Sequence, residues 1–209
     1  MNPIVEIYNL IFYQPIYQSL FFFHSFLKDF GLAVILLTVI IRVILFPLQY
    51  KTSKEQEKLL KLKKSLEEIE KKYDGEQKAK EILSLYQKNK VNPFFNLFSL
   101  FFQLPILIAL YQVFLKGLNQ VDPLLFNFLD LSKPNFLLVL VVVLLQFFYL
   151  KLNQPKGIKE KSTSPFQAQT NFFLTLFTFL ILLRLPSAIS LYLATNNLFL
   201  IFQKILFHV

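Results

Sequence analysis

Long apolar runs separated by charged segments are the first feature of this chain. A helix that spans a bilayer needs roughly 20 largely apolar residues, and five runs approach or reach that length. They are residues 30–48, 93–115, 134–152, 170–185 and 186–207. Pro186 leaves almost no loop between the last two runs, so these two helices should form a tight hairpin. The pattern therefore predicts one all-α polytopic membrane domain over residues 1–209, with five transmembrane helices.

Residues 3–27 are also aromatic and apolar, but Gln14, Pro15 and Gln18 interrupt them. Apolar side chains recur there at helical spacing, with polar ones between them. They are Ile4, Ile7, Tyr8, Ile11 and Phe12. This pattern predicts an amphipathic helix that lies in the membrane interface. The alternative is a sixth span, which the length of the segment would allow.

The segment 53–90 is highly charged and has a pattern of its own. Its apolar residues alternate three and four apart, which is typical of a coiled-coil seam. Asp74-Gly75 interrupts that seam, and Glu57 lies one turn before Lys61 as a favourable ion pair. We expect a cytoplasmic antiparallel helical hairpin. Its lysines would form a solvated face, or would together contact anionic lipid or ribosomal RNA.

Composition sharpens this picture, since 55% of the residues are hydrophobic and the formal net charge is +9. In a membrane protein an excess of lysine mainly reports topology. Lysines concentrate in the segment 53–90 and around the loop 153–168, which places both on the cytoplasmic side of the membrane. The N-terminus is then outside and the C-terminus inside. The chain has no cysteine, which excludes disulfides and thiolate chemistry, and no sequence-specific nucleic-acid binding is expected.

Arg42 is the one charge within an otherwise apolar run. Facing lipid, it would cost at least about 2.5–3.5 kcal/mol. No other run contains a carboxylate that could pair with it, and arginine keeps its charge, so water should reach it. A hydrated intramembrane cavity is the favoured interpretation. The alternative is that the side chain snorkels to the cytoplasmic interface.

Polar residues on the other runs could line such a cavity. Thr38 lies one turn from Arg42 on the same helix face. The remaining candidates share only their type and depth. They are Gln103, Gln146, Asn171, Tyr192 and Asn197. Each of them could instead form an ordinary hydrogen bond between helices, which is worth about 0.6 kcal/mol on average.

Several motifs together resemble the YidC/Oxa/Alb membrane protein insertases, in the short bacterial form that lacks a large extracytoplasmic domain. The matching stretches are GLAVILLTVIIRVILFPL at 31–48, VNPFFNLFSLFFQLPILIALYQVF at 91–114 and LPSAISLYLATNNLFLIFQ at 185–203. Two departures are Ala188, where a glycine is common, and the absence of tryptophan. The resemblance extends over nearly the whole chain.

That resemblance implies a hydrophilic groove at Arg42 that is open to cytoplasm and lipid, and a role in inserting and folding nascent membrane proteins. The ribosome, the Sec translocon and the lipid bilayer are the implied partners. Function as a monomer, without a cofactor or enzymatic activity, is expected. The residues leave two rivals open: a small transporter or channel that uses Arg42 as an anion site, and an assembly factor that holds spans without inserting them.

Overall fold

The structure, a computed structural model, describes residues 3–92, 95–118, 120–152 and 165–207. These residues are mostly helical, which confirms the prediction of a helical fold. The elements in chain order are α1 (Pro3–Tyr8), a π-helical turn (Asn9–Tyr13), α2 (Gln14–Leu27), α3 (Phe30–Lys61), α4 (Lys63–Lys72), α5 (Gly75–Lys88), α6 (Phe95–Gly117), β1 (Leu124–Leu125), β2 (Leu129–Asp130), α7 (Phe136–Leu152), α8 (Pro165–Leu182) and α9 (Ser187–Phe207). Most of the predicted loop 153–168 lies outside the described residues.

Contacts divide the chain into two compact units. One unit comprises Met1–Ile44 and Leu104–His208, and the other comprises Leu45–Gln103. Two described helices, over Phe30–Leu59 and Ser187–Leu206, are long and apolar enough to cross a membrane. Leu104–Gly117 and Phe136–Leu152 are shorter apolar helical stretches. The predicted count of five spans therefore stays a prediction.

Helix α3 runs through Pro47 and continues to Lys61, well past the predicted end of the first span at residue 48. No glycine or further proline follows Pro47 within the helix, and its last turns are rich in Lys, Glu, Gln and Leu, which are good helix formers. The backbone breaks only at Leu62, whose N–H is shared between the carbonyls of Lys58 and Leu59. The first part of the predicted hairpin is thus a continuation of α3.

Helices α4 and α5 follow this break and pack against each other. Helix α4 ends at Lys72 with Tyr73 in extended backbone, and Gly75 has a φ of 56°, which an L side chain rarely adopts. Within the same unit, one carboxylate oxygen of Glu55 accepts a hydrogen bond from the Asn92 backbone N–H at 3.2 Å. The other forms an ion pair with Lys58 at 2.6 Å. Glu55 therefore joins the end of α3 to the residues that follow α5.

A short antiparallel β-hairpin, β1–β2, precedes α7 and was not predicted from the sequence. It pairs Leu124 with Asp130 and Leu125 with Leu129. Asp29 fixes it to the start of α3. One carboxylate oxygen of Asp29 accepts the Leu32 N–H at 2.8 Å, as an N-cap does, and the other accepts the Phe126 N–H at 2.6 Å.

The start of α9 is held by the loop between β2 and α7. The backbone N–H of Ser187 donates to the Lys133 carbonyl at 3.1 Å, and that of Ala188 donates to the Leu131 carbonyl at the same distance. The Ser187 hydroxyl also donates to the Lys133 carbonyl. These bonds satisfy donors that a helix N-terminus cannot pair internally. Helix α9 then packs against α7 and α8, which also contact each other.

Candidate functional site around Arg42

Arg42 is buried within α3, with only 3% of its surface exposed. An unbroken α-helix gives a rise of 1.5 Å per residue, so Arg42 lies about 18 Å along the axis from Phe30. Among the described residues no carboxylate forms an ion pair with Arg42 and no hydrogen bond to its guanidinium is found. A guanidinium carries five N–H donors in a fixed fork, so a buried one needs acceptors from the protein, from water or from a ligand.

Two tyrosines lie within electrostatic range of Arg42. Tyr192 on α9 and Tyr149 on α7 both interact with its charge. Tyr192 is almost fully buried, and Tyr149 is partly exposed. Both phenol oxygens can accept a hydrogen bond as well as donate one. Arg42 therefore lies within electrostatic range of one phenol on α7 and one on α9.

The face of α9 that carries Tyr192 has further polar atoms. At 3.6 residues per turn, Asn196 lies about 40° and Gln203 about 20° around the helix from Tyr192. Both residues are buried, and the side-chain oxygens Asn196 Oδ1 and Gln203 Oε1 have no hydrogen-bond partner among the described residues. A buried polar atom left without a partner costs about 1–3 kcal/mol, so each of these oxygens requires water or a ligand.

Thr38 lies one turn before Arg42 and is buried beside it in α3. Its hydroxyl donates to the Val34 carbonyl at 2.6 Å, so its hydrogen is used within the helix. Thr38 and Arg42 share a face of α3, because residues four apart lie on one helix face, and the oxygen keeps lone pairs that can accept. Thr38 can therefore accept a hydrogen bond at this site but cannot readily donate one.

The other predicted lining residues fall in different places. Asn197 is buried, but it lies about 140° around α9 from Tyr192 and near the Ser190 side of the helix. Gln146 is partly exposed on α7, one turn before Tyr149. The side chains of Gln103 and Asn171 lie outside the described residues.

The lining residues predicted from the sequence include Asn197 but not Asn196 or Tyr149. Helical register could have linked Asn196 to Tyr192, since the two are four residues apart. It could also have linked Tyr149 to Gln146, three residues before it. Neither spacing reveals which face of the helix turns toward Arg42, and only the packing of α7 and α9 supplies that direction.

Comparison with known proteins decides the family. The family model described as 60Kd inner membrane protein matches residues 22–209. The chain belongs to the YidC/Oxa family. A YidC/Oxa relative, the membrane protein insertase YidC of Cellvibrio japonicus (strain Ueda107), is 34% identical, and the match covers 91% of this chain and 34% of that protein. The membrane protein insertase YidC of Helicobacter pylori (strain ATCC 700392 / 26695) is 28% identical, and the match covers 99% of this chain and 38% of that protein.

A solved structure gives the same relationship for the fold. The crystal structure of an active YidC insertase with its first transmembrane domain resolved matches with a TM-score of 0.68 at 27% identity. The match covers 94% of this chain and 46% of that one. The chain spans about a third of the length of the curated relatives, at 34% and 38%. The family predicted from the motifs around Arg42 is thus confirmed.

Proposed function

We propose that this protein is a membrane protein insertase that helps nascent membrane proteins enter and fold in the bilayer. The observation that carries the proposal is the burial of Arg42 near Tyr192. Tyr192 belongs to the α9 face on which Asn196 Oδ1 and Gln203 Oε1 have no hydrogen-bond partner among the described residues. A charge and orphan acceptors in one place favour a hydrated groove within the helices. The relatives' names, membrane protein insertase YidC, support the same function.

In this proposal the protein has five spans, and residues 3–27 lie at the outer interface. The segment 53–90 is a cytoplasmic hairpin, with the N-terminus outside the bacterial plasma membrane and the C-terminus in the cytoplasm. The lysines around that hairpin support this orientation, because cytoplasmic segments carry the excess of positive charge. The exposed apolar side chains of α7 and α8, such as Leu144 and Phe177, would face lipid or neighbouring helices.

The groove would act by shortening the dry path that a polar segment must cross. Water admitted from the cytoplasm reaches Arg42, and the guanidinium attracts acidic residues in the segment being moved. Water competes with that attraction, so the segment can be released. Its apolar helix then partitions into lipid, which supplies the driving force without nucleotide hydrolysis.

Thr38, Tyr149, Tyr192 and Asn196 are the lining residues that the described contacts and helical register support. Gln146 stays a candidate one turn from Tyr149, while Gln103, Asn171 and Asn197 stay candidates on sequence grounds alone. The ribosome and the Sec translocon are the proposed partners, and the monomer is the proposed functional unit.

Reconstitution provides the direct test. The purified protein is placed in liposomes, and a short reporter with one apolar helix and an acidic tail is added. Insertion is measured as protection of the tail from external protease. We expect protection above that in empty liposomes. Equal protection in both would refute the insertase proposal, and anion flux without insertion would favour a channel instead.

A further inference from the structure

Two phenylalanines project from the tip of the β1–β2 hairpin and are largely exposed. Phe126 is 58% exposed and Phe128 is 77% exposed, and their rings stack with centroids 6.4 Å apart. The adjacent Leu125 and Leu131 are buried, so the hairpin already places its own apolar residues against the protein. We call Phe126 and Phe128 the aromatic tip.

The backbone that holds these rings outward is strained at the turn. Phe126 and Asn127 both have positive φ, at 51° and 60°, and the Phe128 N–H closes the turn onto the Leu125 carbonyl at 3.3 Å. Such turns favour Gly, Asn or Asp at both central positions, because a side chain at positive φ is strained. A phenylalanine at the first position is therefore retained against the local preference of the backbone.

The position of the tip is fixed relative to α3. Asp29 precedes the first residue of α3 and accepts the Phe126 N–H at 2.6 Å, while a Cβ on Gly31 would lie only 2.5 Å from the Leu125 side chain. The hairpin thus packs directly on the first turn of this helix. If α3 crosses the bilayer, as the proposed function requires, the tip lies where the helix leaves the hydrocarbon.

Helix α2, which precedes Asp29 in the chain, also has exposed aromatic side chains. Phe22 and Phe26 lie four residues apart on one face of α2 and are 68% and 81% exposed. Lys28, just after α2, and Lys133, between β2 and α7, are exposed as well. Aromatic rings with nearby lysines are typical of the level of the lipid headgroups.

We propose that the aromatic tip inserts into the outer leaflet at the boundary between headgroups and acyl chains, and anchors the outer end of α3 there. The occupant of this surface is lipid, because exposed aromatic rings stand next to the first turn of a helix that spans the bilayer in the proposed function. The inference rests on the proposed membrane orientation but assigns a separate site, made of residues other than those around Arg42.

The absence of tryptophan from the sequence allows a clean test. A Phe128→Trp variant of the full chain carries a single reporter at a largely exposed position, and Leu83→Trp, on the exposed side of α5, is the matched control. Both are reconstituted in phosphatidylcholine–phosphatidylglycerol vesicles with or without phosphatidylcholine brominated near the top or near the end of the acyl chain. Tryptophan emission is measured, and aqueous acrylamide is added in parallel.

We expect shallow bromines to lower the emission of Phe128→Trp by about twofold or more, with weak acrylamide quenching, since interfacial aromatics lie at that depth. The Leu83→Trp control should show the reverse. Acrylamide quenching equal to that of the control, without lipid quenching, would overturn the anchor. Stronger quenching by deep bromines would overturn the interfacial depth. Reporter insertion is measured in the same vesicles, so a failure of the anchor is distinguished from a failure of the proposed insertase function.

Discussion

Charge matching between Arg42 and its substrate is the prediction that the site makes most directly. The perturbations are Arg42→Ala, which removes the charge, and Arg42→Lys, which keeps the charge on a flexible ammonium side chain. The natural control is Arg184→Ala, because Arg184 is exposed just after α8 and carries the same charge outside the site. Each variant is combined with a reporter whose tail carries either two aspartates or two asparagines.

The expected size follows from the surroundings of Arg42. A carboxylate 4 Å from the guanidinium gains about 1 kcal/mol at the dielectric constant of water and about 4 kcal/mol at an effective value near 20. Desolvation of the tail subtracts from the larger figure. Because orphan oxygens such as Asn196 Oδ1 make the site polar, a value of about 1–2 kcal/mol is expected. That corresponds to about fivefold to thirtyfold slower insertion of the acidic reporter by Arg42→Ala.

The assay is the initial rate of tail protection in liposomes that contain equal amounts of each folded variant. The ratio of acidic to neutral reporter should fall for Arg42→Ala, stay near the wild-type value for Arg184→Ala, and be largely retained by Arg42→Lys. The comparison works as a thermodynamic cycle, so general damage to the protein cancels between the two reporters. An unchanged ratio in Arg42→Ala would refute electrostatic attraction as the role of this residue.

Three further predictions test the site and the fold. Asn196→Leu should slow insertion of the acidic reporter, while Asn197→Leu, on another face of α9, should affect it less; equal rates would contradict the assigned register. Gly31→Ala should lower the melting temperature in detergent by several degrees, since its Cβ would lie 2.5 Å from a side chain on β1 and overpacking costs about 1–3 kcal/mol; an unchanged melting temperature would show that the hairpin yields. Hydrogen bonds from the side chain and backbone of Ser132 lower the pKa of Asp130. The stability that the Asp130 carboxylate contributes is therefore present above the ordinary carboxyl pKa and is lost as pH falls through the lowered one. Between about pH 6 and pH 3 the melting temperature should fall less steeply in D130N than in the wild type.

The sequence by itself determined the helical class of fold and the family, and it singled out Arg42 as the candidate site. Apolar runs too long for a soluble surface, and a charge within one of them, are local properties that need no structure to be recognised. The motifs around Arg42, in the stretch 91–114 and around Pro186 identified the family because their order and spacing are specific. The break near Gly75 was also visible, since Asp-Gly interrupts a helical pattern.

Only the tertiary structure decided direction and long-range contact. Residue type does not distinguish Asn196 from Asn197, which point about 100° apart; the packing of α9 buries both and leaves Asn196 on the face that carries Tyr192. The sequence also gave no sign that Asp29 binds both Leu32 and Phe126, since the second partner is distant along the chain. The two-residue strands β1 and β2 are too short to show alternation, and the contact of their hairpin with α3 depends on both elements folding together.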